Sequence, residues 1–151
     1  MTLSLEFTVD GQPVPKGRPR LSTRSGFARA YTPAKTVAYE RKVASAAKEA
    51  MAGRQPTGLP VAVSIRLGFQ VPASWTKTRK AQALEGRTYP GRIDVDNVAK
   101  AVLDGMLAGG VMVDDALVVD LRVSKRYAID PGALVAVREV SDAYDDGRRD
   151  D

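Results

Sequence analysis

The sequence predicts an α+β domain in which a small mixed, mainly antiparallel sheet has helices packed on it. Apolar and polar residues alternate with period 2 near both ends and in the middle of the chain, and segments of helical periodicity lie between these candidate strands. The length of 151 residues, with 44% hydrophobic and 27% charged residues, fits one globular domain. We expect this domain to span residues 1–141 and the acidic residues 142–151 to form a disordered tail.

The first half of the chain contains a strand, a long loop and a helix. Residues 3–9 alternate between apolar and polar side chains, as in a half-buried strand. Residues 11–33 contain three Gly and four Pro without apolar periodicity, which predicts a long loop with room for a short hairpin around residues 25–26. The pair Thr32-Pro33 is typical of a helix start, and apolar residues at helical spacing predict a helix over residues 33–52.

The second half continues with a strand, two helices and further strands. Gly and Pro clusters separate these elements, and Ser74 or Thr76 is a suitable cap for the shorter helix. The predicted elements are a strand at 61–69, a short helix ending at Gly86, a helix from residue 94 or 95 to 108, a short strand at 111–113, a strand at 116–128 and a last strand at 133–140.

Composition excludes several kinds of chemistry. The chain has no Cys and no His, which rules out disulfides, Cys/His metal sites, cysteine nucleophiles and Ser-His-Asp triads. Any metal must therefore be bound by oxygen, which favours Mg²⁺ or Mn²⁺ over Zn²⁺ or Cu²⁺. No apolar run approaches the roughly 20 residues of a membrane span and the first residues do not match a signal peptide, so we expect a cytoplasmic protein.

The charge is unevenly distributed along the chain. The net charge is +5, and residues 142–151 alone carry −3, so residues 1–141 carry +8. Between Gly11 and Tyr39 there is no acidic residue, which is typical of a surface that binds a polyanion, although a solvated loop would also tolerate the pattern. The basic residues of this stretch are Lys16, Arg18, Arg20, Arg24, Arg29 and Lys35.

Four carboxylates flank the predicted helix that ends at residue 108. They are Asp94, Asp96, Asp114 and Asp115. Asp94 has a structural interpretation as the helix cap. Asp96, Lys100 and Asp104 follow one another at four-residue spacing along one edge of the apolar face, so Asp96 has a structural interpretation as the ion-pair partner of Lys100.

Together these carboxylates indicate a metal site. If the short strand lies beside the start of the helix, Asp94, Asp96 and either Asp114 or Asp115 can converge, and three carboxylates need a compensating cation. Mg²⁺ bound by carboxylates and water is the natural occupant. It can polarise a phosphoryl oxygen and lower the pKa of a bound water, and Lys100 can neutralise charge that develops on a phosphate.

The stretch "DVDNV" also matches the DxDx[TV] nucleophile motif of haloacid-dehalogenase-like phosphatases. In that family the first Asp follows a hydrophobic strand near the start of an α/β domain. Here the motif follows "YPGRI" past the middle of the chain, which leaves too little sequence for a doubly wound fold and argues against a phosphatase.

The stretch "DVDNVAKAVLDGMLAGGVMVDDALVVDLRVSKR", residues 94–126, resembles the core of the RusA family of Holliday-junction resolvases, which phages and prophages often carry. The shared pattern is D-x-D-N, a Lys four residues after the second Asp, a further Asp in the helix, a Gly-containing turn, and a D-D pair before a hydrophobic strand. "PKGRPR" and "YTPAKTVAYERKV" resemble the opening of many phage members. The resemblance covers most of residues 10–126 and implies a RusA-like fold.

The resemblance implies that Asp94, Asp96 and Asp115 are the metal-binding catalytic carboxylates and that Lys100 is the catalytic lysine. It implies a homodimer that cuts four-way DNA junctions by Mg²⁺-dependent hydrolysis in recombination and repair, with Mn²⁺ as a possible substitute, with paired nicks and without a small-molecule cofactor. The choice of Asp115 over Asp114 depends on the family spacing.

Basic side chains outside the carboxylate cluster are the candidate DNA contacts. They would bind backbone phosphates, which orient DNA without reading its sequence. These residues are Lys16, Arg18, Arg20, Arg24, Arg29, Lys77, Arg79 and Lys80. Two alternatives stay open: a nuclease for other branched DNA, such as flaps or forks, and a junction-binding protein without catalysis.

Overall fold

The computed structural model describes residues 2–17, 20–22 and 29–140. The predictions for Arg18, Arg24 and the tail 142–151 lie outside these residues. The described elements are β1 Ser4–Asp10, β2 Arg20–Ser22, β3 Arg29–Tyr31, α1 Ala34–Met51, β4 Val61–Gln70, α2 Lys77–Leu84, α3 Val95–Ala108, a 3-10 turn Asp115–Leu117, β5 Val118–Ala128 and β6 Gly132–Glu139.

Four strands form the main sheet, in the order β1-β6-β4-β5. β6 pairs antiparallel with both β1 and β4, whereas β4 and β5 are parallel. A parallel pair requires a crossover connection, and α2 and α3 lie in the chain between β4 and β5. The predicted α+β class with a mixed, mainly antiparallel sheet is therefore confirmed.

The predicted long loop, in which a short hairpin was expected around residues 25–26, contains two short strands. β2 and β3 pair antiparallel, with Arg20 opposite Tyr31 and Ser22 opposite Arg29. The antiparallel pairing of these two strands, which lie on either side of residues 25–26, agrees with the predicted hairpin.

The predicted strand at 111–113 is wrong. Only Met112 makes a bridge, to Thr57, and the main-chain bonds from Thr57 N to Val111 O and from Val113 N to Thr57 O hold it. Buried Val111 and Met112 anchor this segment to the core. The segment therefore works as a fixed connection that leads from the end of α3 to the second acidic pair.

The helices α1 and α3 pack against each other and close the core over the sheet. The apolar side chains of β1 alternate into this core, as their period predicts. Gly105 lies at a close approach of the two helices, since a Cβ atom placed on it would be 2.5 Å from the Cβ of Val43. The described residues contain no helix that combines the length and the apolar character needed to cross a membrane.

Tyr39 on α1 supplies a test of the core. Its side chain is 3% exposed, and its hydroxyl has no hydrogen-bond partner among the described residues. A buried polar group without a partner costs about 1–3 kcal/mol, so we expect Tyr39→Phe to raise the free energy of unfolding by about 1 kcal/mol, measured by urea denaturation.

The same side chain makes stability depend on alkaline pH. Burial raises the pKa of Tyr39 from 10.0 to about 12, so the folded state favours the neutral phenol. The stability that follows from this preference is fully present below pH 10.0 and is lost as pH rises towards about 12. Lysines also titrate in this pH range, so the comparison with Tyr39→Phe separates the contribution of Tyr39 from theirs. An identical loss of stability with pH in both proteins would contradict the role of Tyr39.

Candidate active site

The start of α3 presents two exposed carboxylates. Asp94 occupies the N-cap position, but its side chain accepts no backbone N–H, and its described contact is with Asn97 Nδ2 at 3.4 Å. Asp96 is exposed in the first turn. The cap interpretation of the Asp94 side chain is therefore wrong, and neither carboxylate is used by the helix backbone.

The connection before Asp94 is held from β5. Lys125 donates hydrogen bonds to the carbonyl oxygens of Gly91 at 3.3 Å and Ile93 at 2.9 Å. These two bonds tie the entry of α3 to the edge strand of the sheet. Sequence reasoning missed this role, because no local pattern links residues more than 30 positions apart.

Lys100 does not pair with Asp96. Its Nζ lies 3.0 Å from Asp104 Oδ1, one helical turn further along, and 3.5 Å from Asp115 Oδ2. The ion pair that the sequence suggested between Asp96 and Lys100 is therefore wrong, although the four-residue spacing correctly placed Lys100 beside Asp104.

The two residues of the second acidic pair have different surroundings. Asp114 Oδ1 accepts the backbone N–H of Ala116 at 2.9 Å and caps the 3-10 turn, whereas Asp115 faces Lys100. The connection through Met112 brings Asp115 to the face of α3 that carries Lys100. Asp114 therefore has a structural role that the spacing alone did not distinguish.

Lys16 joins the same cluster from the segment after β1. Its backbone N–H donates to Asn97 O at 2.8 Å, and its ammonium contacts Glu40 and, at 3.1 Å, Asp104 Oδ2. Alternating charges therefore run from Glu40 through Lys16, Asp104 and Lys100 to Asp115. Nothing in the sequence pattern indicated Glu40.

These contacts shift the pKa values of the cluster. Burial alone would raise the pKa of Asp104, but the hydrogen bonds from Lys100 and Lys16 outweigh it and lower that pKa below 3.8. The hydrogen bond to Glu40 is the largest cause that raises the pKa of Lys16 above 10.5, and the bond to Asp104 is the largest for Lys100. All three groups are therefore charged at neutral pH.

The three carboxylates expected to bind metal lie on two connected parts of the site, Asp94 and Asp96 at the start of α3 and Asp115 after it. Within residues 2–17, 20–22 and 29–140, no three acidic side chains are close enough to hold an ion in their present positions. Their oxygen donors fit Mg²⁺ in chemistry, and neither Asp94 nor Asp96 is engaged by a described cation.

The candidate DNA contacts lie in two regions. On α2, Lys77 and Arg79 are exposed and Lys80 is half-buried. The Arg79 guanidinium carbon lies 3.7 Å from the centroid of the Trp75 ring, which in turn meets Tyr127 edge-on at 5.4 Å. Sequence reasoning missed these two aromatic side chains, which hold α2 beside β5.

The second region is the basic segment between β1 and α1. Lys16 lies in the charged cluster described above, and Arg20 and Arg29 lie in β2 and β3. Arg18 and Arg24 are outside the described residues.

Comparison with known proteins places the chain in a family of endodeoxyribonucleases. The sequence model described as "Endodeoxyribonuclease RusA" matches residues 10–138, and the chain belongs to the RusA family. A relative in Bacillus subtilis (strain 168), "Uncharacterized protein YqaN", is 39% identical over 140 residues, which cover 91% of this chain and 97% of the relative. The family resemblance predicted from residues 94–126 is confirmed.

Proposed function

We propose that the protein is a Mg²⁺-dependent endodeoxyribonuclease that resolves four-way DNA junctions by paired phosphodiester hydrolysis, in recombination and repair. The observation that carries the proposal is the 3.5 Å contact between Lys100 and Asp115. This contact puts Asp115 beside α3, the helix whose start carries Asp94 and Asp96. Membership in the RusA family supports both the reaction and branched DNA as the substrate.

Asp94, Asp96 and Asp115 would hold the metal, with Mn²⁺ as a substitute. When bound, Mg²⁺ supplies a polarised phosphoryl oxygen and a water of lowered pKa. The carboxylates would provide the negative charge that draws the ion in. The side chains of Asp94 and Asp96 are exposed and make no described bond to the helix backbone, so they would be able to turn towards an ion.

Lys100 would act on the phosphate that is cut. Its ammonium is about half exposed, with 52% of the side chain accessible, and stays charged beside Asp104. A fixed positive charge at the scissile phosphate stabilises the negative charge that grows in the transition state. Lys100 thus supplies the charge stabilisation that no His can provide in this chain.

Paired cuts require two active sites, and we propose a homodimer that presents one site to each of two opposing strands. Multi-angle light scattering of the purified protein tests this part, with twice the mass of 16.2 kDa expected. A monomer at the concentration that gives paired nicks would contradict it.

The function is tested by incubating the protein with a synthetic four-way junction, a flap, a fork and linear duplex, in Mg²⁺ or EDTA. We expect symmetrical nicks on opposing strands of the junction in Mg²⁺ alone. Faster cutting of the flap or fork would point to the other branched-DNA nuclease. Binding to the junction without cutting in Mg²⁺ or Mn²⁺ would point to a junction-binding protein.

The α2 lysines are expected to contribute to the salt dependence of DNA binding. Each phosphate contact contributes about 0.9 to the slope of log K against log salt. We expect the double variant Lys77→Gln/Lys80→Gln to lower the magnitude of this slope by about 2, measured by fluorescence anisotropy in EDTA. Lys48→Gln, an exposed lysine in the last turn of α1, is the matched control. An equal change in both variants would contradict a specific role for α2.

A further inference from the structure

Asp104 is shared between two ammonium groups. Its Oδ1 accepts from Lys100 at 3.0 Å and its Oδ2 contacts Lys16 at 3.1 Å, so each carboxylate oxygen has its own lysine. Asp104 is also the least exposed of this trio, with 23% of its side chain accessible, and lies beside the contact between α1 and α3. Its carboxylate is therefore held by one lysine at each oxygen, whereas the Lys100 side chain is more than twice as exposed, at 52%.

Lys100 has a long side chain with many rotamers, and its two described partners are Asp104 and Asp115. Asp115 is expected to take part in metal binding, so it cannot serve as a constant anchor for Lys100. Asp104 is on the same helix, one turn away, so it stays within reach of Lys100 whether or not a metal is bound. An anchor of this kind reduces the freedom that Lys100 must lose before the reaction.

Lys16 is itself held by the main chain. Its N–H donates to Asn97 O at 2.8 Å, and the next residue, Gly17, donates to Thr36 Oγ1 at 2.9 Å. Its ammonium contacts both Glu40 and Asp104, and 25% of the side chain is accessible. Among the candidate DNA contacts whose side chains are described, Lys16 is engaged by two carboxylates, an arrangement suited to fixing Asp104 rather than to receiving a phosphate.

We propose that Asp104 is a positioning residue that holds the Lys100 ammonium at the Asp115 side of α3, and that Lys16 locks Asp104 in place. The inference deepens the proposed nuclease function and rests on it. The roles divide between the side chains: Lys100 acts on the phosphate, Asp104 orients Lys100, and Lys16 with Glu40 orients Asp104. The start of the basic segment is thereby joined to the active site through Lys16.

Asp104→Asn keeps the size of the side chain and removes its charge. We expect the single-turnover rate of junction cleavage to fall about 10- to 100-fold, the range for residues that orient a metal ligand or catalytic group. Junction affinity in EDTA should change less than about 2-fold, because a carboxylate paired with two lysines does not attract phosphate. Since Lys100 then pairs with Asp115 alone, half-maximal cleavage should need more Mg²⁺. Asp130→Asn, in the turn between β5 and β6, is the matched control.

A readout without DNA or metal separates this inference from the nuclease proposal. Lys100 should react faster with an amine-acylating reagent in Asp104→Asn than in the unmodified protein, as measured by peptide mass spectrometry, and Asp104→Glu should restore part of the protection. If the protein cuts no DNA, the proposed function fails while the labelling still tests the anchor. Unchanged labelling of Lys100 in Asp104→Asn would overturn the inference.

Lys16 is tested by a double-mutant cycle. If Lys16 acts through Asp104, Lys16→Met should slow cleavage, and Lys16→Met/Asp104→Asn should be no slower than Asp104→Asn alone. If Lys16 contacts a phosphate instead, Lys16→Met should weaken junction binding and lower its salt slope, and its effect should multiply with that of Asp104→Asn. That second pattern would overturn the locking role of Lys16.

Discussion

Asp96→Asn is expected to lower the single-turnover rate of Mg²⁺-dependent junction cleavage by at least about 100-fold. Loss of a residue that only orients a ligand costs about 10- to 100-fold, so loss of a direct ligand should reach or exceed the upper end of that range. Asn keeps the shape of the side chain and one oxygen but removes the negative charge. Because Asp96 is exposed in the first turn of α3 and forms no described ion pair, the fold should not change.

The measurement combines single-turnover cleavage with junction binding in EDTA and a thermal unfolding midpoint. We expect binding to persist within about 3-fold, since the removed group repels rather than attracts phosphate. Asp114→Asn is the matched control, because Asn also caps a helical turn well and Asp114 accepts the N–H of Ala116. Cutting by Asp96→Asn at the unmodified rate would remove Asp96 from the metal site.

Gly105→Ala is expected to destabilise the protein by about 2 kcal/mol, although Ala is the better helix former by about 1 kcal/mol. The added Cβ would lie 2.5 Å from Val43 Cβ and 2.9 Å from the backbone oxygen of Glu40. Overpacking of this kind costs typically about 1–3 kcal/mol, and here relief requires α1 to move as a whole. The cost of overpacking therefore exceeds the gain in helix propensity, and the free energy of unfolding should fall.

This prediction is checked by urea denaturation beside Gly58→Ala. No atom lies within 4 Å of a Cβ placed on Gly58, so that variant should stay within about 0.5 kcal/mol of the unmodified protein. A shift of α1 would also displace Glu40 and Lys16, so we expect slower cleavage in Gly105→Ala. Higher stability in Gly105→Ala would contradict the close contact between α1 and α3.

The helices were predictable because their signals are local. The helix predicted over residues 33–52 is α1, Ala34–Met51, and the one predicted from residue 94 or 95 to 108 is α3, Val95–Ala108. Apolar periodicity and flanking Pro and Gly residues mark both helices in a single window. Thr76, one of the two suggested caps for the short helix, accepts the N–H of Arg79.

The errors arose where a short segment has no period of its own. Residues 111–113 are apolar because Val111 and Met112 are buried in the core, and burial alone does not make a strand. β2 and β3 have three residues each, too few for alternation to be recognised among Gly and Pro, so the sequence predicted a hairpin here without the bounds of its strands.

The sequence by itself determined the three helices and the four strands of the main sheet. It also restricted any metal ligands to oxygen through the absence of Cys and His, and it marked two acidic pairs as the groups to examine, Asp94 with Asp96 and Asp114 with Asp115. Only the tertiary structure decided that Lys100 faces Asp104 and Asp115, and that Lys16 and Glu40 reach the same cluster. Periodicity reports which face of an element is buried. It cannot report which distant element covers that face, because this depends on the sheet order and on the packing of α1 against α3.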